Sequence, residues 1–166
     1  RSRPTSLEQG LGHSQSIHSR SEDISLDRVR RVRQILRLHR PPVVITIGGT
    51  NGKGSSATIL GSVLQNAGQF VGTYTSPHLI SYRERIQING MDVSEAQLLQ
   101  AFSAVEAARQ DILLTFFEFG TLAALWVFQQ VAIRLAILEV VMGGRLDAVN
   151  IETPDAALLT RFPFHH

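Results

Sequence analysis

Residues 43–55 read VVITIGGTNGKGS, a short β-branched run followed by a glycine-rich loop. Such a run is typical of a buried strand in a parallel sheet. Apolar residues then recur at helical spacing as far as Gly68, so the predicted order is strand, glycine loop, helix. Loop amides and the amino end of a helix favour a polyphosphate, and Lys53, the only lysine, supplies charge for the outer phosphates. We predict that this loop binds nucleotide phosphates; the alternative is a plain glycine-rich turn.

Helical and strand patterns alternate along the rest of the chain. The predicted elements are an arginine-rich helix from residue 27, strands at 70–74 and 85–89, a helix capped by Ser94 and Gln97, a buried helix at 117–131, and strands at 135–141 and 156–160. This order predicts an α/β fold with a parallel sheet flanked by helices on both faces. Residues 1–25 are predicted to be a loosely ordered amino-terminal segment, and residues 26–166 a partial P-loop ATP-binding domain.

Composition argues against several classes of protein. The 43% hydrophobic content over 166 residues is that of one globular domain. The longest apolar stretch, 122–141, is interrupted by polar and charged residues, so no membrane span is predicted. We expect no secretory leader, and with zero cysteines the predicted location is the cytoplasm. The net charge is only +2 and no aromatic residues interleave with the arginines of 28–40, which favours a solvated helix face over nucleic-acid binding.

Three ordered motifs carry a resemblance to a known family. They are GTNGKGS at 49–55, YTSPHL at 74–79 followed by ERI at 84–86, and LEV at 138–140 followed by GGRLDAVN at 143–150. Together they resemble the folylpolyglutamate synthase/dihydrofolate synthase branch of the Mur ligase superfamily, from about Asp23 to Thr160. A strict Walker loop has Ser or Thr directly after its Lys, whereas this chain has Gly54, which counts against other P-loop enzymes.

The resemblance implies a Mur ligase-like central domain and an ATP-dependent carbon–nitrogen ligase acting in folate biosynthesis and one-carbon metabolism. The implied reaction adds L-glutamate to dihydropteroate or folates through an acyl phosphate, with ATP and Mg²⁺. Nucleic acid and membrane are not expected as partners, and the full-length protein is expected to be a monomer. The family's carboxyl-terminal domain is expected to be absent from these 166 residues. The alternatives are a truncated, inactive fragment that at most binds nucleotide, and another P-loop NTPase or kinase.

The same resemblance assigns candidate site residues. Those for ATP are Gly49, Thr50, Asn51, Gly52, Lys53, Gly54 and Ser55, with Lys53 and Glu139 as catalytic groups. The implied metal ligands are Ser76, Glu139 and His166. The implied pterin contacts are Asp23, Ile24, Ser25, Thr115, Phe116 and Phe117.

Elementary chemistry supports some of these roles and leaves alternatives. Glu139 is a carboxylate in an apolar strand, so it needs a cation or a donor network; otherwise it reaches solvent or pairs with Arg145. Phe116 and Phe117 can stack on a flat heterocycle, or simply pack in the core. His78 could serve as ligand or base, or brace a loop.

The chain also departs from the family pattern at several positions. Val141 and Ser25 each stand where the family has Gly, and Gly10 stands where the family has Trp. His166 falls by count on the metal-binding His, but the text around it is changed.

Overall fold

The computed structural model describes residues 26–49, 53–75, 82–140 and 152–160, with residues 53–55 described for their backbone only. Residues 26–36 form the first helix, α1. The later elements are β1 (Val43–Gly49), α2 (Lys53–Asn66), β2 (Val71–Tyr74), β3 (Ile86–Ile88), β4 (Met91–Asp92), α3 (Glu95–Arg109), α4 (Phe116–Val131), β5 (Leu135–Glu139) and β6 (Ala156–Thr160). A short 3-10 helix, Tyr82–Arg85, precedes β3. Every helix within these ranges is too short or too polar to span a bilayer.

The described strands form one mixed sheet in the order β4-β3-β2-β5-β1-β6. Strands β2, β5, β1 and β6 are parallel to one another, as predicted. Strands β3 and β4 extend this predicted parallel sheet with antiparallel pairs, β3 with β2 and β4 with β3, which the prediction did not include. The Asn89-Gly90 turn accounts for the pairing of β3 with β4, because both residues have positive φ (48° and 78°) and the chain reverses within two residues.

Two apolar layers cover the two faces of the central strands. On one face Ile47, Val71 and Ile137 pack with Ala57 of α2. On the other face the alternate residues of the strands join α1, α3 and α4 in the larger core. Val44, Ala136 and Leu138 belong to that second core, because side chains alternate across a strand. The sheet therefore positions α2 on the face opposite to the other described helices.

Strand β6 lies at the edge of the described sheet. Its residues 156–159 are exposed, and Leu159 retains 66% of its accessible surface. The expectation that helices flank the sheet on both faces therefore holds for β1, β2 and β5, but not for β6 within the described residues.

Helix ends follow the local signals of the sequence. Gly68 (φ +84°) ends α2, with its N–H donating to Gln65 O and the next N–H donating to Leu64 O, the pattern of a Schellman cap. The capping box predicted from Ser94 and Gln97 is present at the start of α3. The predicted end of α2 and the predicted start of α3 are therefore confirmed.

The arginine-rich segment is only partly a solvated face. Arg33 forms an ion pair with the buried Glu152 at 2.7 Å, and burial raises the pKa of Glu152 although Arg33 opposes that shift. Arg40 donates to Thr153 O and to Asp155, whose pKa is lowered by the backbone N–H of Val44 and by Arg40. Two arginines therefore attach residues 152–155 to the body of the domain, which the interpretation of a purely solvated face missed.

Candidate nucleotide-binding site

The carboxyl ends of the four parallel strands meet at one edge of the sheet. Neighbouring strands β1 and β5 end there at Gly49 and Glu139. From β1 the chain continues to β2 on one side of this pair, whereas from β5 it continues to β6 on the other side. Ligands of open α/β sheets bind outside the carboxyl ends of the strands, where connections leave neighbouring strands in opposite directions. The glycine-rich loop therefore starts at the edge where a ligand is expected.

Gly49 is required at the entrance to that loop. Its φ of +147° is a conformation that residues with a side chain rarely adopt. A Cβ built on Gly49 would lie 2.5 Å from the carbonyl oxygen of Thr160 on β6 and would overlap the Thr160 hydroxyl. Thr160 in turn donates a hydrogen bond from Oγ1 to Gly48 O at 3.3 Å. The backbone of the loop entrance is thus held close to β6, and only glycine fits.

Helix α2 begins at Lys53, four residues after Gly49. Its first turn contains no acidic residue, so nothing there neutralises the positive end of the helix dipole. The amino end of a helix that follows a glycine-rich loop is an arrangement that favours phosphate oxygens. Thr50, Asn51 and Gly52 lie outside the described residues, as do the side chains of residues 53–55.

Glu139 is buried at the end of β5, with only 2% of its surface exposed. It lies opposite Ile47 in the register of β1 and β5, two residues before Gly49. Alternation along β5 places it on the same face as Ile137, which packs against α2. The alternative that Glu139 reaches solvent is therefore wrong, whereas a pairing with Arg145 concerns a residue outside the described ranges.

A buried carboxylate beside the predicted phosphate loop is a suitable donor for Mg²⁺, which prefers oxygen ligands and usually keeps several waters. Within the part of the chain that the structure describes, no three His, Cys, Asp or Glu side chains form a protein-only metal cage. Such a cage is not what the sequence predicted, since Ser76 and His166 were the other implied ligands. Both of these lie outside the described residues.

The described part of the predicted pterin site is the first turn of α4. Thr115 is the N-cap of this helix. Phe116 is 70% exposed, and its ring meets that of Tyr82 edge-on at 5.7 Å between centroids. The guanidinium of Arg85 lies over both rings, 5.0 Å from the Tyr82 centroid and 5.9 Å from that of Phe116. Core packing is therefore wrong as an explanation of Phe116.

Phe117 is half-buried against Tyr74, with ring centroids 6.3 Å apart. Thr121 donates to the carbonyl of Phe117 at 3.0 Å and also lies 3.5 Å from the Tyr74 hydroxyl. Because Tyr74 ends β2, these contacts join the end of β2 to the first turn of α4. Core packing therefore accounts for part of Phe117, and its position beside Phe116 leaves a substrate role open. Asp23, Ile24 and Ser25 lie outside the described residues.

Tyr82 and Glu118 are site neighbours that the sequence reasoning missed. Burial raises the pKa of Tyr82, and the nearby Arg85 opposes this shift. A Cβ on Gly120 would overlap the Tyr82 hydroxyl, so the glycine permits this close packing. Glu118 could have been found, because Thr115 and Glu118 have the spacing of a capping box. Nothing in the local sequence marks Tyr82, since its contacts come from distant elements.

Comparison with known proteins was decisive for the family. Over 161 residues the chain is 44% identical to the dihydrofolate synthase/folylpolyglutamate synthase of Escherichia coli K12, covering 96% of this chain. A structure of the E. coli protein, FolC, in complex with DHPP and ADP superposes with a TM-score of 0.77 at 46% identity over 84% of this chain. The chain belongs to the folylpolyglutamate synthase/dihydrofolate synthase family.

A second solved member of the family is the bifunctional enzyme of Yersinia pestis complexed with AMPPNP and Mn ion. It matches 86% of this chain at 44% identity with a TM-score of 0.77. No protein-family model matches the chain. The chain spans 38% of the length of the E. coli protein, and 34% and 37% of the two solved chains. These proteins support the family assignment and the Mur ligase-like fold.

Proposed function

We propose that this chain is the nucleotide-binding part of an ATP-dependent ligase that adds L-glutamate to dihydropteroate, to folates, or to both. One observation carries the proposal: the loop entrance at Gly49, where only glycine fits, lies beside the buried carboxylate of Glu139 on the adjacent strand. The names of the related proteins support the reaction class, and the structures of two of them with ADP or AMPPNP support a nucleotide as the ligand.

Residues 49–55 hold the outer phosphates of ATP in this proposal. The loop amides and Lys53 stabilise the negative charge that develops on the transferred phosphoryl group. Glu139, with Ser76 and His166, would hold Mg²⁺, which would supply positive charge to the phosphates. Because Glu139 is buried and fixed by its strand, it presents its oxygen ligands with little reorganisation.

The proposed pterin site lies at the start of α4. Phe116 offers an exposed ring to a flat heterocycle, with Thr115 and Phe117 on either side of it in the chain. The Asp23 carboxylate would accept hydrogen bonds from the pterin amino group, and Ile24 and Ser25 would complete the contact. These assignments carry over the family resemblance and remain proposals for each residue.

The proposed chemistry has two steps. A carboxylate oxygen of the pteroate or folate attacks the terminal phosphorus of ATP, the bond to the bridging oxygen breaks, and ADP leaves. The amine of L-glutamate then attacks the acyl phosphate, forms the amide bond, and releases phosphate and a proton. Lys53 and the loop amides act in the first step, in which charge moves between phosphate oxygens.

The experiment is incorporation of radiolabelled L-glutamate by the full-length protein, with ATP and Mg²⁺ and with either dihydropteroate or tetrahydrofolate as acceptor. We expect a labelled product with at least one acceptor, and none when ATP is omitted. No labelled product with either acceptor would refute the proposal.

Calorimetric titration of the 166-residue chain with ATP and Mg²⁺, combined with a turnover assay, distinguishes an active ligase from a fragment that only binds nucleotide. Heat of binding without turnover by this chain, together with turnover by the full-length protein, is the result we expect if the site spans more than these residues. The cytoplasmic location and the monomeric state stay predictions.

A further inference from the structure

We propose that Arg28 and Glu118 form a positioning pair that sets the orientation of the first turn of α4. This inference rests on the proposed function, because that turn contains the proposed pterin contacts Thr115, Phe116 and Phe117. Neither Arg28 nor Glu118 is assigned a contact with substrate. Their role is to hold the residues that do make that contact.

Glu118 is tied to Thr115 by two reciprocal hydrogen bonds. Its carboxylate accepts from the Thr115 backbone N–H at 2.8 Å, and its own N–H donates to Thr115 Oγ1 at 3.1 Å. The side chain is only 2% exposed, which is unusual for an acidic residue in the first turn of a helix. A displacement of this carboxylate therefore shifts Thr115 and the turn that follows it.

Arg28 brings a cation to this carboxylate from a different element. Its Nη2 lies 4.0 Å from Glu118 Oε1, and its side chain comes from α1, 90 residues before Glu118 in the sequence. The Nε of Arg28 is buried and has no hydrogen-bond acceptor among the described residues. The guanidinium therefore lies at the junction of α1 and α4, where its charge faces the buried carboxylate.

Only the Glu118 side of this pair is buried, since the Arg28 side chain is 38% exposed. A buried carboxylate loses its hydration, and a nearby cation and hydrogen-bond donors must offset that loss. If Arg28 is replaced by a neutral residue, the carboxylate is less well compensated, and it gains by moving toward water. That movement disturbs the bond to Thr115 N–H. Phe116, exposed and held by edge contacts with Tyr82, would then change its position.

The test compares steady-state kinetics of the full-length protein with Arg28→Gln, Glu118→Gln and Arg28→Lys. Arg28→Gln is expected to raise the KM for dihydropteroate on the order of tenfold, since small misplacements of contact residues have effects of this size or larger. Glu118→Gln is expected to raise it less, because its amide oxygen can still accept from Thr115 N–H, as that of Gln97 does from Ser94 N–H at the start of α3. The KM for ATP is expected to stay within about twofold, because the phosphate loop lies on other elements. Arg28→Lys keeps the charge and is expected to restore most of the wild-type value.

Arg30→Gln is the matched control. It removes an arginine from the same helix, but one whose ion pair with Asp27 at 3.4 Å is exposed on both sides. This variant should have wild-type constants for both substrates. The double variant of Arg28→Gln with Glu118→Gln should be no worse than the more affected single variant, because the two residues act as one pair.

Three results would overturn the inference: an unchanged KM for dihydropteroate in both single variants, a parallel rise in the KM for ATP, or an equal effect of Arg30→Gln. If the unaltered protein shows no turnover, the proposed function fails. The positioning role is then tested by comparing the dissociation constants for dihydropteroate of the unaltered protein and the same variants. Circular dichroism melting checks that each variant is folded. Should Arg28→Gln not fold, Arg28→Lys and Glu118→Gln supply the comparison.

Discussion

Replacement of Gly49 by alanine tests the loop entrance directly. The added methyl group would lie 2.5 Å from the carbonyl oxygen of Thr160, and the residue would have to keep a φ of +147°. Backbone strain of this kind costs about 1–3 kcal/mol, and overpacking against a neighbouring strand costs about as much again. We expect Gly49→Ala to lower the free energy of unfolding by roughly 2–5 kcal/mol, a large share of the stability of an ordinary domain.

Urea unfolding followed by circular dichroism measures this loss. With a denaturant slope of about 1–3 kcal/mol/M, the midpoint should fall by on the order of 1–2 M. Calorimetric titration with ATP and Mg²⁺, at a temperature where the variant is fully folded, should also show affinity at least about tenfold weaker, because the entrance of the predicted phosphate loop is displaced.

Two further variants make the reasoning refutable. Gly61→Ala places a methyl group at 3.7 Å from Thr73 Oγ1, an ordinary contact, and should stabilise α2 by about 0.5–1 kcal/mol. Adding Thr160→Ala to Gly49→Ala should restore little, because the obstructing carbonyl belongs to the backbone. The argument is refuted if Gly49→Ala has the same stability and ATP affinity as the unaltered protein. It is also refuted if adding Thr160→Ala restores the full stability.

Three other expectations follow from single contacts. Gly72→Ala would place a Cβ 2.7 Å from the ring of Phe128 and should lower the free energy of unfolding in urea by about 1–3 kcal/mol. Adding Phe128→Leu should recover part of this loss, whereas additive losses from the two changes would contradict the reasoning. Glu139→Gln should lower kcat by on the order of a hundredfold with little change in melting temperature, and retained turnover would exclude its metal role. Hydrogen bonds donated by Val44 N–H and Arg40 lower the pKa of Asp155 below its unfolded value of about 4. The ionised carboxylate therefore stabilises the fold above that pH, and this contribution is lost as pH falls through the folded pKa. Stability measured from pH 6 down to pH 2 should therefore fall less steeply in Asp155→Asn, and an identical acid dependence would refute this.

Much of the local structure could be predicted because its signals are local. The β-branched run before the glycine loop became β1, the Asn89-Gly90 pair became a hairpin turn, and Gly68 ended α2. Each of these depends on backbone preferences that a few neighbouring residues set. The antiparallel pairing of β3 and β4 was missed in the fold prediction, although the turn that causes it was recognised.

The site was predictable only where a motif lies on one continuous segment. Gly49 and Glu139 were found by their motifs, and the structure brings their strand ends side by side. Tyr82 was missed because its ring is placed by Phe102 of α3, Phe116 of α4 and Arg85 of its own turn. No local periodicity encodes a contact that three elements make together.

Sequence alone was therefore enough for the family resemblance, the loop between β1 and α2, and most helix and strand positions, because short-range backbone preferences and contiguous motifs carry that information. Only the tertiary structure decided that Glu139 is buried, that Thr160 of β6 crowds Gly49, and that Arg28 faces Glu118. These facts depend on which distant segments pack together. Burial and approach across a sheet edge arise from the whole fold, so no single stretch of residues contains them.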